Sequence, residues 1–183
     1  MTLHEEAARV RGEAELLHDA AAVEQAYARL AAELTQRTQG RNPLMLPVML
    51  GGLFAAAEIL KRLEFPFQMD YLHATRYRDQ TSGGELIWKV APATPLQGRV
   101  VVVIDDILDE GHTFGAIIAA LRAQQPAELI TVALVEKIHK RRAPGVSVDL
   151  VGLRTGDRYL FGCGMDYKSY LRQFPAIYAV KGL

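Results

Sequence analysis

Apolar residues recur every three to four positions near the start of the chain. Residues 3–38 are rich in Ala, Glu, Leu and Arg and contain no proline, which predicts one or two amphipathic helices. Gly12 weakens the first helix, and His18-Asp19 either breaks the segment or caps the second. A Gly-Arg-Asn-Pro turn at 40–43 ends the segment. The residues with helical spacing are Leu16, Leu17, Val23, Tyr27, Leu30 and Leu34.

Short apolar runs and helical patterns alternate after this turn. Strands are predicted over 44–50, 67–74, 100–104 and 129–135, and helices over 53–63 and 113–124. This alternation predicts an α/β fold, with a mostly parallel twisted sheet flanked by helices. Pro47 would remove a hydrogen-bond donor from the first strand, so we expect an irregularity there.

Two segments lie outside this alternation. Residues 75–98 form a long connection with several Gly and Pro residues, which is typical of a lid. Residues 147–183 contain short strand-like pieces at 150–153, 159–161 and 177–180, which predict a small hood on the sheet edge. The chain therefore divides into an N-terminal helical segment (1–40), a core with a flexible lid loop (41–146) and a C-terminal hood (147–183).

Composition limits the classes of protein to consider. The 183 residues suit one domain, and half of them are apolar, which is enough for a packed core. Basic and acidic residues number 21 each, so a generic DNA-coating protein is disfavoured. Cys163 is the single cysteine, which excludes an internal disulfide and favours a reducing compartment. With no signal-peptide pattern and no apolar run of about 20 residues, we expect a soluble, cytoplasmic protein.

The most informative segment is 100–113, with the sequence V-V-V-V-I-D-D-I-L-D-E-G-H-T. Its apolar half is typical of a strand buried on both faces. Ligands of α/β sheets bind at the carboxyl ends of strands, and a helix N-terminus there attracts phosphate. Gly111 would allow close approach of the backbone, and the Thr113 hydroxyl could donate to a phosphate oxygen.

Three carboxylates in this segment would repel a phosphate placed directly on them. The phosphate is therefore expected on residues 110–113, while Asp105 and Asp106 face a sugar diol or a divalent cation. The alternative is a polar turn in which Asp109 or Thr113 caps the helix. The buried strand before the turn and the Gly-x-Thr helix entry favour the binding site. The segment is neither a Walker loop nor a dinucleotide-binding turn.

This segment resembles the phosphoribosyl pyrophosphate signature of type I phosphoribosyltransferases, and its surroundings are most similar to the hypoxanthine-guanine branch. The resemblance covers about Leu44 to the C-terminus and leaves out the N-terminal helices. It implies the type I phosphoribosyltransferase fold and a Mg²⁺-dependent purine salvage reaction. That reaction converts hypoxanthine or guanine and phosphoribosyl pyrophosphate to IMP or GMP and pyrophosphate. A homodimer or homotetramer is also implied.

By this resemblance, the acidic segment would bind the phosphoribosyl group. Asp105 and Asp106 would contact the ribose hydroxyls, Asp105 through Mg²⁺. Asp109 would be the general base at purine N7. The 5′-phosphate would lie in the loop formed by Asp109, Glu110, Gly111, His112 and Thr113.

The same resemblance assigns the pyrophosphate and the metal. V-M-L-G-G at 48–52 is similar to the family's pyrophosphate loop, with contacts from Leu50 and Gly51 and a cis peptide joining Met49 to Leu50. The alternative for this loop is a plain strand-to-helix turn. Asp166 would hold Mg²⁺ together with Asp105, and Arg172 would contact the pyrophosphate.

The resemblance places the purine between the core and the hood. Lys137 would donate to the 6-oxo group, which favours hypoxanthine, guanine or xanthine over adenine. Tyr159 would stack on the base, the Leu160 backbone would contact its edge, and Asp166 would lie beside it. The alternatives are a solvated lysine at the end of a strand and ordinary core packing for Tyr159 and Phe161.

Three residues depart from the family's pattern. Leu50 stands where Lys or Arg is common, and Glu110 where Thr is usual. In the lid, Arg76-Tyr77 stands where the family has Ser-Tyr. Glu110 must point away from the phosphate or weaken its binding.

Two other functions stay open. One is a regulator of the same fold that binds nucleotide and nucleic acid, for which the basic cluster Lys137, His139, Lys140, Arg141 and Arg142 is the candidate surface. A solvated loop or a subunit interface explains this cluster better, so we expect neither nucleic acid nor membrane as a partner. The other is a xanthine-preferring enzyme.

Overall fold

A five-stranded parallel sheet forms the centre of the computed structural model, which describes residues 1–76 and 86–183. Its strand order is β3-β2-β6-β7-β8, and every neighbouring pair is parallel, which confirms the predicted α/β architecture. In chain order the elements are α1 (Leu3–Glu13), β1 (Glu15–His18), α2 (Ala20–Thr38), β2 (Leu44–Pro47), α3 (Gly52–Leu60), β3 (Gln68–Met69), β4 (His73–Arg76), β5 (Leu86–Val90), β6 (Val100–Leu108), α4 (His112–Arg122), β7 (Glu128–Lys137), β8 (Leu150–Thr155), β9 (Leu160–Phe161) and β10 (Ile177–Ala179).

The central strand β6 supplies side chains to both faces of the sheet. Val100, Val102 and Ile104 pack on one face with apolar residues of α2 and α3. Val101 and Val103 pack on the other face with α4 and with residues of β4 and β5. This two-sided burial explains why the strand has consecutive valines, since alternation would leave polar residues in one core.

The N-terminal segment contributes to both the core and the hood. Asp19 caps α2 by accepting a hydrogen bond from the Ala22 N–H at 2.8 Å, and α2 then packs into the main core. Residues 15–18 form β1, which the sequence analysis did not predict because four residues show too little periodicity. β1 pairs with β10, giving the antiparallel hood sheet β1-β10-β9.

The single strand predicted over 67–74 was wrong. β3 belongs to the central sheet, whereas β4 pairs with β5 in a separate antiparallel sheet. The Asp70 carboxylate separates the two strands by accepting backbone N–H bonds from Tyr71, Ala93 and Thr94, each at 2.8 Å. Burial raises the pKa of Asp70, but these hydrogen bonds outweigh burial and lower it.

Pro47 ends β2 without shifting its register. β2 and β6 pair continuously from Leu44 and Val101 to Pro47 and Ile104. The next residue, Val48, continues the ladder by donating its N–H to the Ile104 carbonyl at 2.9 Å. On the other side of β2, pairing with β3 covers only Leu44 and Met45 and resumes as an isolated bridge between Val48 and Leu72. The irregularity expected at this proline is therefore found on the β3 side of the strand, which Pro47 faces without an N–H to donate.

The predicted lid coincides in part with β4 and β5. Arg76 is the last residue of β4, while Tyr77 lies outside the described residues. The lid function of both residues stays a prediction. Among the helices of the described residues, none combines the length and apolarity needed to cross a bilayer.

Candidate active site

A cleft of about 420 Å³ opens between the hood and the carboxyl ends of β2, β6 and β7. This is the edge of a parallel sheet at which ligands bind. The cleft is lined by ten of the predicted site residues, namely Leu50, Gly51, Asp105, Asp106, Asp109, Lys137, Tyr159, Leu160, Asp166 and Arg172. Segments far apart in the sequence therefore meet in one concave site.

The paired aspartates lie on β6, which continues four residues beyond its predicted end at Ile104. Asp106 is only 8% exposed, and its N–H donates to Asp105 Oδ1 at 3.0 Å. Burial and then the adjacent carboxylate raise the pKa of Asp105 well above its usual range. Burial also raises the pKa of Asp106, against the opposing effects of Asp105 and Arg172. A cation or hydroxyl donors in the cleft would stabilise the ionised form of these two carboxyls.

The loop that follows β2 packs directly against Asp106. A Cβ added to Gly51 would lie 1.8 Å from Asp106 Oδ2, so the Asp106 carboxylate would have to move to admit any side chain there. Gly164 (φ +104°) approaches from the hood, and a Cβ there would lie 2.3 Å from the Gly51 carbonyl oxygen. The Met49–Leu50 peptide bond is cis, as the resemblance implied. Close backbone approach explains Gly51 better than a plain turn does.

Two donors hold the Asp109 carboxylate. The Lys137 ammonium donates to Oδ2 at 2.7 Å, and His139 Nε2 lies 2.7 Å from Oδ1. Burial raises the pKa of Asp109, but the hydrogen bonds from Lys137 and His139 outweigh burial and lower it. Asp109 is therefore ionised near neutral pH and is able to accept a proton.

Lys137 is buried, with 8% of its surface exposed, so it is not the solvated lysine considered as the alternative. A buried ammonium is stable only when it is paired, and Asp109 supplies the partner. His139 was missed as a site residue. Its sequence signals were its membership of the basic cluster and its place two residues after Lys137, at which β7 ends.

The predicted phosphate loop forms the N-terminus of α4. Gly111 has φ +82° and is the N-cap, so the helix begins at His112. Its backbone N–H groups are then available at this end of the helix, which suits an anion. Glu110, Gly111, His112 and Thr113 do not line the cleft described above, which ends at Asp109 on this side.

Glu110 is paired with Arg141, whose Nη1 lies 2.5 Å from Oε1. Arg141 also donates to both oxygens of Asp157, at 2.7 and 2.8 Å. The carboxylate that Glu110 introduces into the phosphate loop is therefore compensated by a cation from the loop after β7. The ion pair with Arg141 directs the Glu110 carboxylate to a cation, at the position where the resemblance led us to expect Thr.

The hood supplies three of the four residues predicted for the purine. Tyr159 is 40% exposed and lies edge-to-face on Tyr167, with ring centroids 5.7 Å apart. The Tyr167 hydroxyl donates to Glu6 of α1 at 2.7 Å. Leu160 is buried in β9 and pairs with Ala179. Tyr159 is thus partly exposed in the cleft and packs against Tyr167, which in turn is bound to α1.

Asp166 and Arg172 form an ion pair at the mouth of the cleft. Arg172 Nη2 lies 2.7 Å from Asp166 Oδ1, and the Ser169 N–H donates to Oδ2 at 2.6 Å. Arg172 also donates to the Gly164 carbonyl. These contacts fix a carboxylate and a guanidinium side by side, on the hood side of Asp105 and Asp106.

The basic cluster after β7 is largely paired with carboxylates. Lys137 and His139 contact Asp109, and Arg141 contacts Glu110 and Asp157. Arg142 lies 3.3 Å from Glu136. This pairing gives little support to a nucleic-acid surface. Asp109, His139 and Asp157 were also considered as metal ligands, because their ligand atoms lie within 4.8 Å of one another. Lys137 and Arg141 form ion pairs with the two carboxylates, so this group is explained as an ion-pair network.

Comparison with known proteins identifies the family of the chain. Residues 13–167 match the family model described as the phosphoribosyl transferase domain. A hypoxanthine-guanine-xanthine phosphoribosyltransferase of Tritrichomonas foetus is 34% identical over 152 residues, which cover 83% of each chain. The hypoxanthine-guanine phosphoribosyltransferase of Bacillus subtilis (strain 168) is 31% identical over 153 residues, covering 83% of this chain and 84% of that protein. A solved hypoxanthine-guanine-xanthine phosphoribosyltransferase has a TM-score of 0.83 at 29% identity, covering 91% of this chain and 96% of that one.

The family match begins at residue 13, so the expectation that the resemblance starts near Leu44 was wrong. The physical reason lies in α2, whose buried face completes the core beside α3. A helix required by the core belongs to the fold even where its sequence carries no recognisable motif.

Proposed function

The chain belongs to the phosphoribosyl transferase family, and we propose that it transfers the phosphoribosyl group of phosphoribosyl pyrophosphate to hypoxanthine or guanine. One observation carries the choice of acceptor. The Asp109 carboxylate and the Lys137 ammonium meet at 2.7 Å on the wall of the cleft, so a proton acceptor and a hydrogen-bond donor face the same space.

The purine would bind between these two groups and the hood. Lys137 would donate to the 6-oxo oxygen, while Tyr159 would stack on the ring. Asp109 would accept the proton from N7 as N9 forms a bond to ribose C1′ and the bond from C1′ to pyrophosphate breaks. Adenine carries an amino group at position 6 and would leave Lys137 without an acceptor.

The ribosyl group would lie on the carboxylates at the end of β6. Asp105 and Asp106 would accept hydrogen bonds from the ribose hydroxyls, and in their ionised form they would place negative charge beside C1′. Positive charge develops at that carbon as the leaving group departs, so the carboxylates stabilise the transition state. The 5′-phosphate would bind the N-terminus of α4 at residues 110–113.

The cleft also has a donor set suited to Mg²⁺. Asp105 and Asp166 line the cleft, and Mg²⁺ in proteins prefers one or two carboxylates together with substrate phosphates. Because Arg172 and the Ser169 N–H engage both oxygens of Asp166, Mg²⁺ would bind there only as Arg172 turns to the pyrophosphate. The Asp105 and Asp106 carboxyls lie next to each other in the cleft, so a neighbouring cation would offset their mutual repulsion. When bound, the ion would neutralise pyrophosphate charge as this group departs. Leu50, Gly51 and Arg172 would hold the pyrophosphate itself.

Cytoplasmic location and a homo-oligomeric state stay predictions from the family.

A competition assay tests the proposed acceptor. The protein is given an equimolar mixture of hypoxanthine, guanine, xanthine and adenine together with phosphoribosyl pyrophosphate and Mg²⁺. The nucleotides formed are then separated and quantified. We expect 6-oxopurine nucleotides to dominate, with AMP lower by at least about tenfold, since Lys137 has no acceptor on adenine. AMP as the main product would refute the role of Lys137 as a donor to the 6-oxo group.

A further inference from the structure

His139 contacts Asp109 without lining the cleft. Its side chain is 4% exposed, and Nε2 lies 2.7 Å from Asp109 Oδ1. Lys137 takes the other oxygen, Oδ2, from a position on the cleft wall. The proposed function uses Lys137 and Asp109 and leaves this third member of the network without a role.

A backbone hydrogen bond fixes the tautomer of His139. The Arg141 N–H donates to Nδ1 at 3.1 Å. A ring nitrogen that accepts a hydrogen bond carries no proton, so in the neutral imidazole the proton is on Nε2. Nε2 is therefore the donor to Asp109 Oδ1, and its direction is set by the loop after β7.

Other charged groups around this pair are already compensated. Lys137 faces the carboxylate from β7. Asp157 approaches from the loop after β8, but Arg141 binds both of its oxygens. Glu110 is also paired with Arg141 at 2.5 Å. Asp109 is thus the carboxylate to which His139 donates.

Purine binding would affect the two hydrogen bonds to Asp109 differently. Lys137 is able to turn to the 6-oxo group because it lines the cleft, which frees Oδ2 for the N7 proton. His139 cannot follow, since it is buried and held by the Arg141 N–H. We propose that His139 is a positioning residue that holds Asp109 Oδ1, so that Oδ2 stays directed at the purine after Lys137 has exchanged partners. The inference rests on the proposed role of Asp109 as the base.

Two substitutions separate hydrogen bonding from packing. His139→Gln keeps an N–H donor near the position of Nε2, whereas His139→Leu fills similar volume without a donor. The measurement is the single-turnover rate of nucleotide formation across pH, together with KM for both substrates. His4→Leu is the matched control, because His4 is an exposed histidine on α1.

We expect His139→Leu to lower the single-turnover rate by about tenfold, since one hydrogen bond to a charged group is lost. KM for each substrate should stay within about twofold. Removing a donor favours the protonated carboxyl, so the acid limb of the profile should move to higher pH. This shift of the acid limb should be larger in the pH profile of the single-turnover rate, which reports the bound complex, than in that of kcat/KM, which reports the free enzyme. The reason is that Lys137 still binds Asp109 in the free enzyme. The Gln variant and the His4 control should resemble wild type.

Two results would overturn the inference. One is an unchanged acid limb and rate in His139→Leu; the other is a Gln variant as impaired as the Leu variant, which would assign His139 to packing alone. If the Leu variant does not fold, ¹⁵N NMR of the wild-type histidine decides. A proton on Nε2 at neutral pH supports the inference, and a proton on Nδ1 overturns it.

Asp109→Asn distinguishes this failure from failure of the proposed base. Wild-type turnover in Asp109→Asn would remove the base role itself, whatever His139 does. A severe loss in Asp109→Asn combined with normal His139 variants would leave the base in place and reject only its positioning by His139.

Discussion

Lys137 shows how burial gives one side chain a defined chemical role. Its ammonium group is almost fully buried and has a carboxylate partner in Asp109 at 2.7 Å. Breaking such a pair without replacement is costly, so a ligand that takes the ammonium must offer its own acceptor. In the proposed complex a 6-oxo oxygen would do so, and the released carboxylate would be free to accept the N7 proton. Recognition of the purine by Lys137 would thereby be coupled to activation of Asp109 as the general base.

Lys137→Ala tests this coupling. We expect the KM for hypoxanthine to rise by about ten- to a hundredfold, because a charged hydrogen bond to the purine is lost. KM for phosphoribosyl pyrophosphate should change little. Lys140→Ala is the control, since Lys140 is exposed in the same loop and has no place in the proposed site. Steady-state kinetics of both variants give the answer, and an unchanged purine KM in Lys137→Ala would speak against the assignment.

At the scale of elements, strand β6 shows what its sequence could and could not predict. The consecutive valines were sufficient to predict a buried parallel strand. The continuation through Asp105 and Asp106 was not predicted, because paired acids are typical of a loop. Pairing with β7 extends that far because backbone hydrogen bonds do not depend on the side chains.

Other differences arise from contacts between distant positions. Asp70 ends β3 with the help of N–H groups 23 and 24 residues further along the chain. His139 reaches Asp109 across 30 residues through the fold of the loop after β7. Local patterns hold no information on such partners. The acidic segment and Lys137 could be predicted because the resemblance carried their long-range arrangement with it.

Gly51→Ala tests the close approach of the loop after β2 to Asp106. The new methyl group would collide with the Asp106 carboxylate, so we expect a loss of about 1–3 kcal/mol in the free energy of unfolding. KM for phosphoribosyl pyrophosphate should also rise, since Gly51 and Asp106 both line the cleft.

Gly12→Ala is the matched glycine control. No atom lies within 4 Å of a Cβ added there, and Gly12 lies in α1. Alanine should stabilise that helix by up to about 1 kcal/mol. Urea unfolding of both variants measures the difference, and equal stability of the two proteins would contradict the packing described for Gly51.

At the scale of the whole molecule, the N-terminal residues are structural parts of the site. α2 completes the core beneath the sheet, and β1 supplies an outer strand of the hood sheet. From α1, Glu6 binds the Tyr167 hydroxyl, and Tyr167 in turn supports Tyr159. The first forty residues therefore hold the hood in the position from which it faces the acidic end of β6.

The central claim is that this fold brings a general base, Asp109, to a purine beside an activated ribose. Single-turnover formation of IMP from hypoxanthine, phosphoribosyl pyrophosphate and Mg²⁺, measured for wild type and Asp109→Asn, tests it most directly. The account predicts IMP from wild type and a rate lower by about 10²- to 10⁴-fold in the variant, with binding of phosphoribosyl pyrophosphate retained. Equal rates of IMP formation in the two proteins, or no nucleotide from wild type with any 6-oxopurine, would contradict it.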